Sequence, residues 1–457
     1  MRQHLHCGVD LGSTNVKVVL IDGYGCSVSS RSIPTPRISD GVGVVTDAAK
    51  LIALLERMIL EAWREAGAGV PLRSVTVAGV GEDGLGIRQD LTPTGISIPW
   101  FDRRAEAEAK ILRNGAIGGA RTGIVIGPDR TAAKWLWLRH HKPFELAVAR
   151  YWVALTDYPS VWWTGRPFMS NTLAARTACY DVFSREWIAE SLQRVGAPQL
   201  PPLLRAGDIV GTIERGDLLT EGAADQNTVV VVGGHDHPIA AFAIRSLDPE
   251  ARVDSMGTAN LVYGEAAGPN PPYLDPYLAF SVPPRNEVGV SCLGVFELSA
   301  TLRSAAADTD VLKAMLAEKR LQGSPTRGSS EPESEVAATR YRLEHASFYA
   351  RRMFDAMDLV GAPAGSIFST GGWANSRAFL ELRASVFGKP IFVIEEPELT
   401  AVGCAYVGAS FSTGACPDLR ATRALLQIDP VEGWSQIYQE LYPEVKQALD
   451  LNMMTNN

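Results

Sequence analysis

The feature that most constrains this chain is a short apolar run, a glycine-bearing polar turn and a second apolar run at its start. Residues His6–Asp22 read Cys7-Gly8-Val9, then Asp10-Leu11-Gly12-Ser13-Thr14-Asn15, then Val16-Lys17-Val18-Val19-Leu20-Ile21. Both runs are short and β-branched, so the pattern predicts a β-hairpin. Asp22-Gly23-Tyr24-Gly25 supplies a second turn. Within Asp47–Ala66, Leu51, Leu54, Leu55, Met58, Ile59 and Ala62 fall at helical spacing, which predicts an amphipathic helix. Ser74–Val80 reads as the next strand. Strands alternating with long helices point to an α/β architecture.

The opening unit recurs far downstream. Val229–Val232 reads as a buried strand ending in Gly233-Gly234-His235-Asp236-His237, and strand–turn–strand follows over Arg252–Thr258 and Ala259–Tyr263. Phe348, Met353, Phe354 and Met357 sit at helical spacing, and Ser366–Gly372 again runs from strand into glycine turn. Two α/β halves with a cleft between them are expected, with the boundary near Asp225–Gly234: one domain over 1–232, the other over 233–457. Gln322–Glu335, rich in Ser, Pro, Gly and Glu, reads as a loop or disordered interval.

Composition narrows the function classes. At 457 residues and 46% apolar, the chain has material for a large core and two to four domains. Acidic residues outnumber basic ones, 51 to 43, giving a net charge of −8. That balance argues against a nucleic-acid-coating protein. The six cysteines form no C-x-x-C pair, which argues against a thiolate zinc site and for a reducing compartment. No apolar run reaches the roughly 18–20 residues that span a bilayer, and Gly8-Val9-Asp10 already reads as strand where a signal peptide would lie. A cytoplasmic protein without membrane partners is expected.

Several turns carry chemistry. The Asp10–Lys17 string exposes backbone N–H groups that suit phosphate, with Asp10 placed for magnesium and Lys17 for charge neutralisation. An ordinary polar hairpin is the alternative. Gly79-Val80-Gly81-Glu82-Asp83-Gly84 matches a dinucleotide fingerprint, but strand rather than helix is expected after it, and two carboxylates would repel pyrophosphate. Glu82 and Asp83 suit a neutral polar ligand instead. His235-Asp236-His237 lacks flanking ligands at metal spacing, so Asp236 is better placed as a general base. Ser255-Met256-Gly257-Thr258 and Ser369-Thr370-Gly371-Gly372-Trp373-Ala374-Asn375 are small-residue turns after strands.

Taken in order, these turns resemble the FGGY carbohydrate kinases, a branch of the actin-like ATPase superfamily. The resemblance implies two actin-like (ribonuclease H-like) domains with an interdomain catalytic cleft. It also implies ATP as co-substrate, Mg²⁺ and a small sugar substrate. Asp10–Lys17 is similar to the first phosphate motif, so Gly12, Ser13, Thr14, Asn15 and Lys17 would contact ATP and Asp10 would position the metal. Pro99-Trp100-Phe101-Asp102-Arg103-Arg104 resembles the W-x-D-x-R substrate segment, and Lys134–Leu138 the structural K-x-x-W-L helix. Thr156-Asp157-Tyr158 with Trp163-Thr164-Gly165 resembles the S-D-Y…L-T-G stretch. Gly234-His235-Asp236 matches the turn of the catalytic base. Gly257 and Thr258 fall in the second phosphate motif, and Gly371, Gly372 and Asn375 in the adenosine motif. The small residues Ala401, Gly403, Ala405 and Gly408 resemble the family's closing helix.

A neutral ketose such as xylulose or ribulose is the expected substrate, with Glu82, Asp83, Trp100, Asp102, Arg103 and His237 as its contacts. A polyol kinase (glycerol or erythritol) and a non-catalytic ATP-binding homologue are the alternatives, and Asp102 pairing with Arg103 is the structural alternative for that segment. Assembly stays open between monomer and homodimer. Two features depart from the family pattern. The interval before Glu344-His345-Ala346-Ser347-Phe348 is short. The Gly81–Gly84 loop also lacks both the Met-His pair of xylulokinases and the Arg-Glu pair of glycerol kinases.

Overall fold

The computed structural model describes residues 4–67, 69–115, 119–257, 259–267, 275–302, 335–396 and 398–456. The chain divides into two compact units. The first holds Met1–Ser246, Phe280–Val290 and Glu398–Thr422; the second holds Leu247–Ala279, Ser291–Pro397 and Arg423–Asn457. Residues 322–334 of the expected loop lie outside the described residues, and Glu335 already begins a helix.

In the first unit the N-terminal hairpin forms as read: β1 (Leu5–Leu11) pairs antiparallel with β2 (Asn15–Asp22), and β2 pairs with β3 (Ser27–Pro34). Helix α1 (Ala48–Glu65) starts at Asp47, whose carboxylate caps the Ala49 and Lys50 N–H groups, and buries Leu51, Leu55, Met58 and Ile59. The chain returns as β4 (Leu72–Gly79), parallel to β1; β5 (Ile209–Thr212) and β6 (Val229–His235) complete a six-stranded sheet in the order β5-β6-β4-β1-β2-β3. The central strands β1 and β4 are buried almost throughout, the polar His6, Asp10, Ser74 and Thr76 included. Helix α2 (Thr131–His141) carries the Lys134–Leu138 string, and α3 (Asp236–Arg245) follows β6 directly.

The expected boundary at 232/233 falls inside β6. That strand pairs parallel with β4 along Val229–His235, so the pairing holds residues 233–235 in the first sheet and the first unit runs on to Ser246. His235-Asp236-His237 is likewise a junction of strand and helix, not the glycine-rich turn expected.

The second unit repeats the plan. Strands β7 (Arg252–Met256) and β8 (Asn260–Ala266) form an antiparallel hairpin, followed by β9 (Ala279–Ser281) and β10 (Val290–Phe296). Helix α4 (Glu335–Leu359) buries Phe348, Met353, Phe354 and Met357. Strand β11 (Ile367–Thr370) lies parallel to β7, helix α5 (Arg377–Phe387) follows, and β12 (Ile391–Ile394) and β13 (Leu425–Ile428) finish a sheet ordered β9-β10-β8-β7-β11-β12-β13. Hairpin strand, parallel return, second parallel strand and antiparallel edge occur in the same order in both sheets. The fold is therefore α/β and duplicated.

Helix α6 (Leu399–Thr413) belongs to the first unit and lies against β1 and β4. Its small residues have the close-approach role expected of them. A Cβ added to Gly8 would sit 1.9 Å from Ala401 O, one on Gly403 2.5 Å from Ile239 O, and one on Gly408 2.6 Å from Ser74 Oγ. Only hydrogen fits where these backbones meet.

Candidate functional site

The first unit gathers Asp10, Gly12, Lys17 and Asp236. Asp10 stands at the end of β1, opposite Lys17 in the hairpin register. It is buried, and its Oδ1 has no hydrogen-bond donor. Burial, and then the neighbouring Asp236, push its carboxyl up to about 7 against the pull of Lys17. Lys17 is itself engaged, its Nζ lying 2.6 Å from Glu398 Oε2. This end of the site is short of positive charge. A hard divalent cation with oxygen ligands would fit such a deficit, to which Asp10 offers a carboxylate. The turn beyond Asp10 is tied down by Thr35, whose N–H reaches Thr14 O at 2.9 Å and whose hydroxyl reaches Gly12 O at 2.7 Å.

Two glycines place Asp236. A Cβ on Gly233 would meet Val77 O at 2.2 Å, and Gly234 has φ +127° with Thr172 Oγ1 2.3 Å from where its Cβ would be. These positions let β6 bulge past β4 and aim Asp236 at the first turn of α3, where the helix dipole favours a carboxylate. Asp236 Oδ1 accepts the His237 N–H at 2.7 Å; His235 Nε2 lies 3.3 Å from it and His237 Nε2 3.5 Å. Burial lowers His235 to about 4, so its ring is neutral at pH 7. The three side chains offer ligand atoms within 4.8 Å of one another because they are adjacent in sequence.

The Gly81–Gly84 loop joins β4 to strand Gly84–Ile87, so strand follows the fingerprint-like string. Glu82 is not a free carboxylate. Its Oε1 accepts from Arg130 Nη1 at 2.5 Å, Arg176 Nη2 at 2.6 Å and Arg176 Nε at 2.9 Å. Burial alone would raise its carboxyl, but Arg176 and Arg130 outweigh burial and hold it below the usual carboxylate range. Asp83 is enclosed and makes no well-formed hydrogen bond; Lys134 Nζ stands 3.6 Å away and the Trp100 N–H acts more weakly. Burial pushes Asp83 up despite Lys134. Lys134 ties the loop to α2 by donating to Glu82 O at 3.0 Å and Ile98 O at 2.8 Å.

In the Trp100–Arg104 segment the alternative Asp102–Arg103 pair does not form. Asp102 pairs with Arg104, not Arg103, through contacts of 2.8–2.9 Å, and Arg104 bridges on to Asp40 at 2.7 Å. Burial would raise Asp102, but Arg104 lowers it. Arg103 is exposed and, among the described residues, meets Glu106 alone, at 2.7 Å. Trp100 is 42% exposed and packs edge-on to Phe101.

In the second unit, Gly371 (φ +86°) presses on the β7–β8 turn, since a Cβ there would sit 2.6 Å from Met256 O and 3.1 Å from Gly257 N. Gly257 and Gly371 are therefore neighbours. Gly372 faces open space, and Asn375 ends an exposed 3₁₀ turn. Thr258 lies outside the described residues. Sequence reading missed Arg130, Arg176 and Glu398, and it chose Arg103 although the W-x-D-x-R spacing ends on Arg104. Arg130 stands four residues before Lys134 in a recognised string; Arg176, 94 residues from Glu82, has no local signal. A cavity of about 780 Å³ bordered by Tyr151, Trp187, Pro198 and Leu203 contains none of the residues singled out from the sequence.

Comparison with known proteins supplies the remaining link. The model of the N-terminal domain of the FGGY family of carbohydrate kinases matches residues 5–243, and that of the C-terminal domain matches 304–411. A xylulose kinase of Streptomyces coelicolor is 25% identical over 434 residues, covering 89% of this chain and 88% of the relative. Among solved structures, xylulose kinase from Rhodospirillum rubrum superposes with a TM-score of 0.85 at 19% identity, over 99% of each chain. Gluconate kinase from Lactobacillus acidophilus does so at 0.83 and 18%, over 98% of each. At such identities the structural likeness speaks for the fold alone, whereas the domain models span most of the sequence. The chain belongs to the FGGY family of carbohydrate kinases and is a sugar kinase.

Proposed function

We propose that the protein transfers the γ-phosphoryl group of ATP to a hydroxyl of a small sugar, a neutral ketose such as xylulose or ribulose, with Asp236 as general base. The observation that carries this reading is Asp236 itself. One carboxylate oxygen is held by the His237 N–H while the side chain stays 21% exposed, beside a second carboxylate, Asp10, whose Oδ1 accepts no hydrogen bond among the described residues. A base so oriented takes the proton of the attacking hydroxyl as the phosphoryl group transfers. Asp10 would hold Mg²⁺, which supplies charge neutralisation at the phosphates when bound. The N–H groups of Gly12–Asn15 would face phosphate, and Lys17, tethered by Glu398, would add positive charge. On the second unit, Gly257, Thr258, Gly371, Gly372 and Asn375 would face the nucleotide, with Gly372 leaving room for close approach. Glu82, Trp100 and His237 offer reachable atoms to the sugar; Asp83 and Asp102 support their surroundings. We place this ATP-consuming enzyme in the cytoplasm.

The test measures ADP release across ketotetroses, ketopentoses, ketohexoses, glycerol, erythritol and aldonates, with and without Mg²⁺. Ketose- and Mg²⁺-dependent ADP release is expected. Asp236→Asn should lower kcat by about 10²–10⁴-fold while nucleotide binding persists. Wild-type kcat in that variant, with chemistry limiting, would overturn the assignment.

A further inference from the structure

From the Thr156-Asp157-Tyr158 string a chain of hydrogen bonds runs to the peptide that carries the proposed base. Asp157 is buried, and both its oxygens go to Ser170: Oδ2 accepts the Ser170 N–H at 2.7 Å and Oδ1 accepts its hydroxyl at 2.5 Å. Ser170 leads into the short helix Asn171–Ala174, in which Thr172 is buried. Thr172 Oγ1 accepts the His235 N–H at 3.0 Å. The same hydroxyl fills the bare side of Gly234, 2.3 Å from where a Cβ would stand, and Ser170 Cβ lies 3.4 Å from that point. Thr172 is therefore packed on the bulge of β6 and bonded to the residue before Asp236. The other end of the chain is anchored too. The Thr156 hydroxyl donates to Val80 O at 2.8 Å and the Leu155 N–H to Asp83 O at 3.0 Å, just beyond β4, the strand that pairs with β6. The ring is closed: β4, Leu155–Asp157, Ser170–Thr172, β6. Among the described residues Asp236 itself meets only the adjoining His235 and His237, so its direction follows the backbone at Gly234–His235.

We infer that Asp157 and Thr172 are positioning residues for phosphoryl transfer: Asp157 holds Ser170, Ser170 presents Thr172, and the Thr172 hydroxyl fixes the Gly234–His235 peptide from which Asp236 is aimed. A buried N–H left without an acceptor is costly. Removing the hydroxyl would therefore draw that peptide towards another partner and turn the carboxylate with it. A misplacement of about 1 Å can cost about 10²-fold in rate. Neither residue has to touch ATP or sugar for this, so the effect belongs in kcat and not in either KM. The inference rests on the reading of Asp236 as general base and adds what keeps that base aimed.

The experiment uses Thr172→Val, which keeps the volume and loses the acceptor, with ATP and the sugar turned over fastest in the ADP-release panel. Its kcat should fall about 10–100-fold while both KM values stay within about threefold. Thr172→Ser, which restores the hydroxyl, should return kcat to within about threefold of wild type. Asp157→Leu should act in the same sense but more weakly, about 3–10-fold, whereas Asp157→Asn should be spared, since an amide still accepts the Ser170 N–H and donates to its hydroxyl. In an Asp236→Asn background, Thr172→Val should lower kcat no further, because an absent base cannot be misaimed; a merely structural residue would still lower it. Wild-type kcat in folded Thr172→Val, no recovery in Thr172→Ser, or an added loss in the double variant would each overturn the inference. A reading on the wild-type protein covers the case of a variant that does not fold. With ¹⁵N-histidine labelling of the seven histidines, the His235 amide should exchange slowly with solvent, and exchange at the rate of a free peptide would sink the idea. Wild-type kcat in Asp236→Asn would instead fault the base itself, while an inactive Asp236→Asn beside a fully active Thr172→Val would fault the positioning role alone.

Discussion

Asp10, near the end of β1, and Glu82, in the loop after the adjacent strand β4, are both buried carboxylates of the first unit, and their surroundings push them in opposite directions. Asp10 has an acceptor without a donor and a carboxylate neighbour, and is driven up to about 7. Glu82 has two guanidiniums on one oxygen and is held low. One end of the site leaves a demand for positive charge that a ligand must meet. The other satisfies its charge internally and offers only directed hydrogen-bonding valences. A cation can thus be recruited at the first end, while the second already has its charge paired. The difference matches what is proposed for each, metal and phosphate at Asp10 and contact with the sugar at Glu82.

The comparison can be broken most forcefully at Glu82. Glu82→Ala leaves two largely buried guanidiniums without their shared partner, a change that typically costs about 3–5 kcal/mol. Chemical denaturation should show that loss. In protein that remains folded, KM should rise far more for sugar than for ATP; an equal rise would make the loop merely structural.

Asp10→Asn should act in the opposite sense on the free protein. The folded pKa of Asp10 lies above its unfolded value, so between about pH 4 and pH 7 the folded state holds more protons and stability falls as pH rises. The penalty is complete above about pH 7. Asp10→Asn should therefore raise Tm more at pH 8 than at pH 5 in metal-free protein, while weakening Mg²⁺-dependent nucleotide binding. A pH-independent Tm difference would show that Asp10 is not strained by its surroundings.

The smallest effect is expected at Arg103, whose contact with Glu106 is exposed. Arg103→Ala should change stability by less than about 0.5 kcal/mol. A large increase in KM for sugar without loss of stability would return this residue to the substrate contacts that the sequence suggested.

Local patterns carried much of the fold. The hairpin at His6–Asp22, helix α1 with its Asp47 cap and the strand after Gly81-Glu82-Asp83 each depend on neighbours a few residues apart. The closing helix was legible through Ala401, Gly403 and Gly408, because close backbone approach demands small residues wherever the partner lies. The unit boundary was misplaced because a strand ending in two glycines looks like a terminus. Pairing of β6 with β4 makes it an interior strand instead. The structural alternative paired Asp102 with Arg103 because residues 103 and 104 are chemically identical; Asp40, 64 positions from Arg104, and the Trp137 ring show which of them turns inward.

By itself the sequence determined where strands turn, which residue types stand at those turns and which family they spell, since each follows from periodicity, backbone preference and short spacing. Tertiary structure alone decided the electrostatic state of the carboxylates. Arg130 and Arg176 approach Glu82 from 48 and 94 residues away, and Glu398 reaches Lys17 from the far end of the chain. A carboxylate's charge and free valences depend on which cations share its buried volume, and that is fixed by packing, not by its neighbours in sequence.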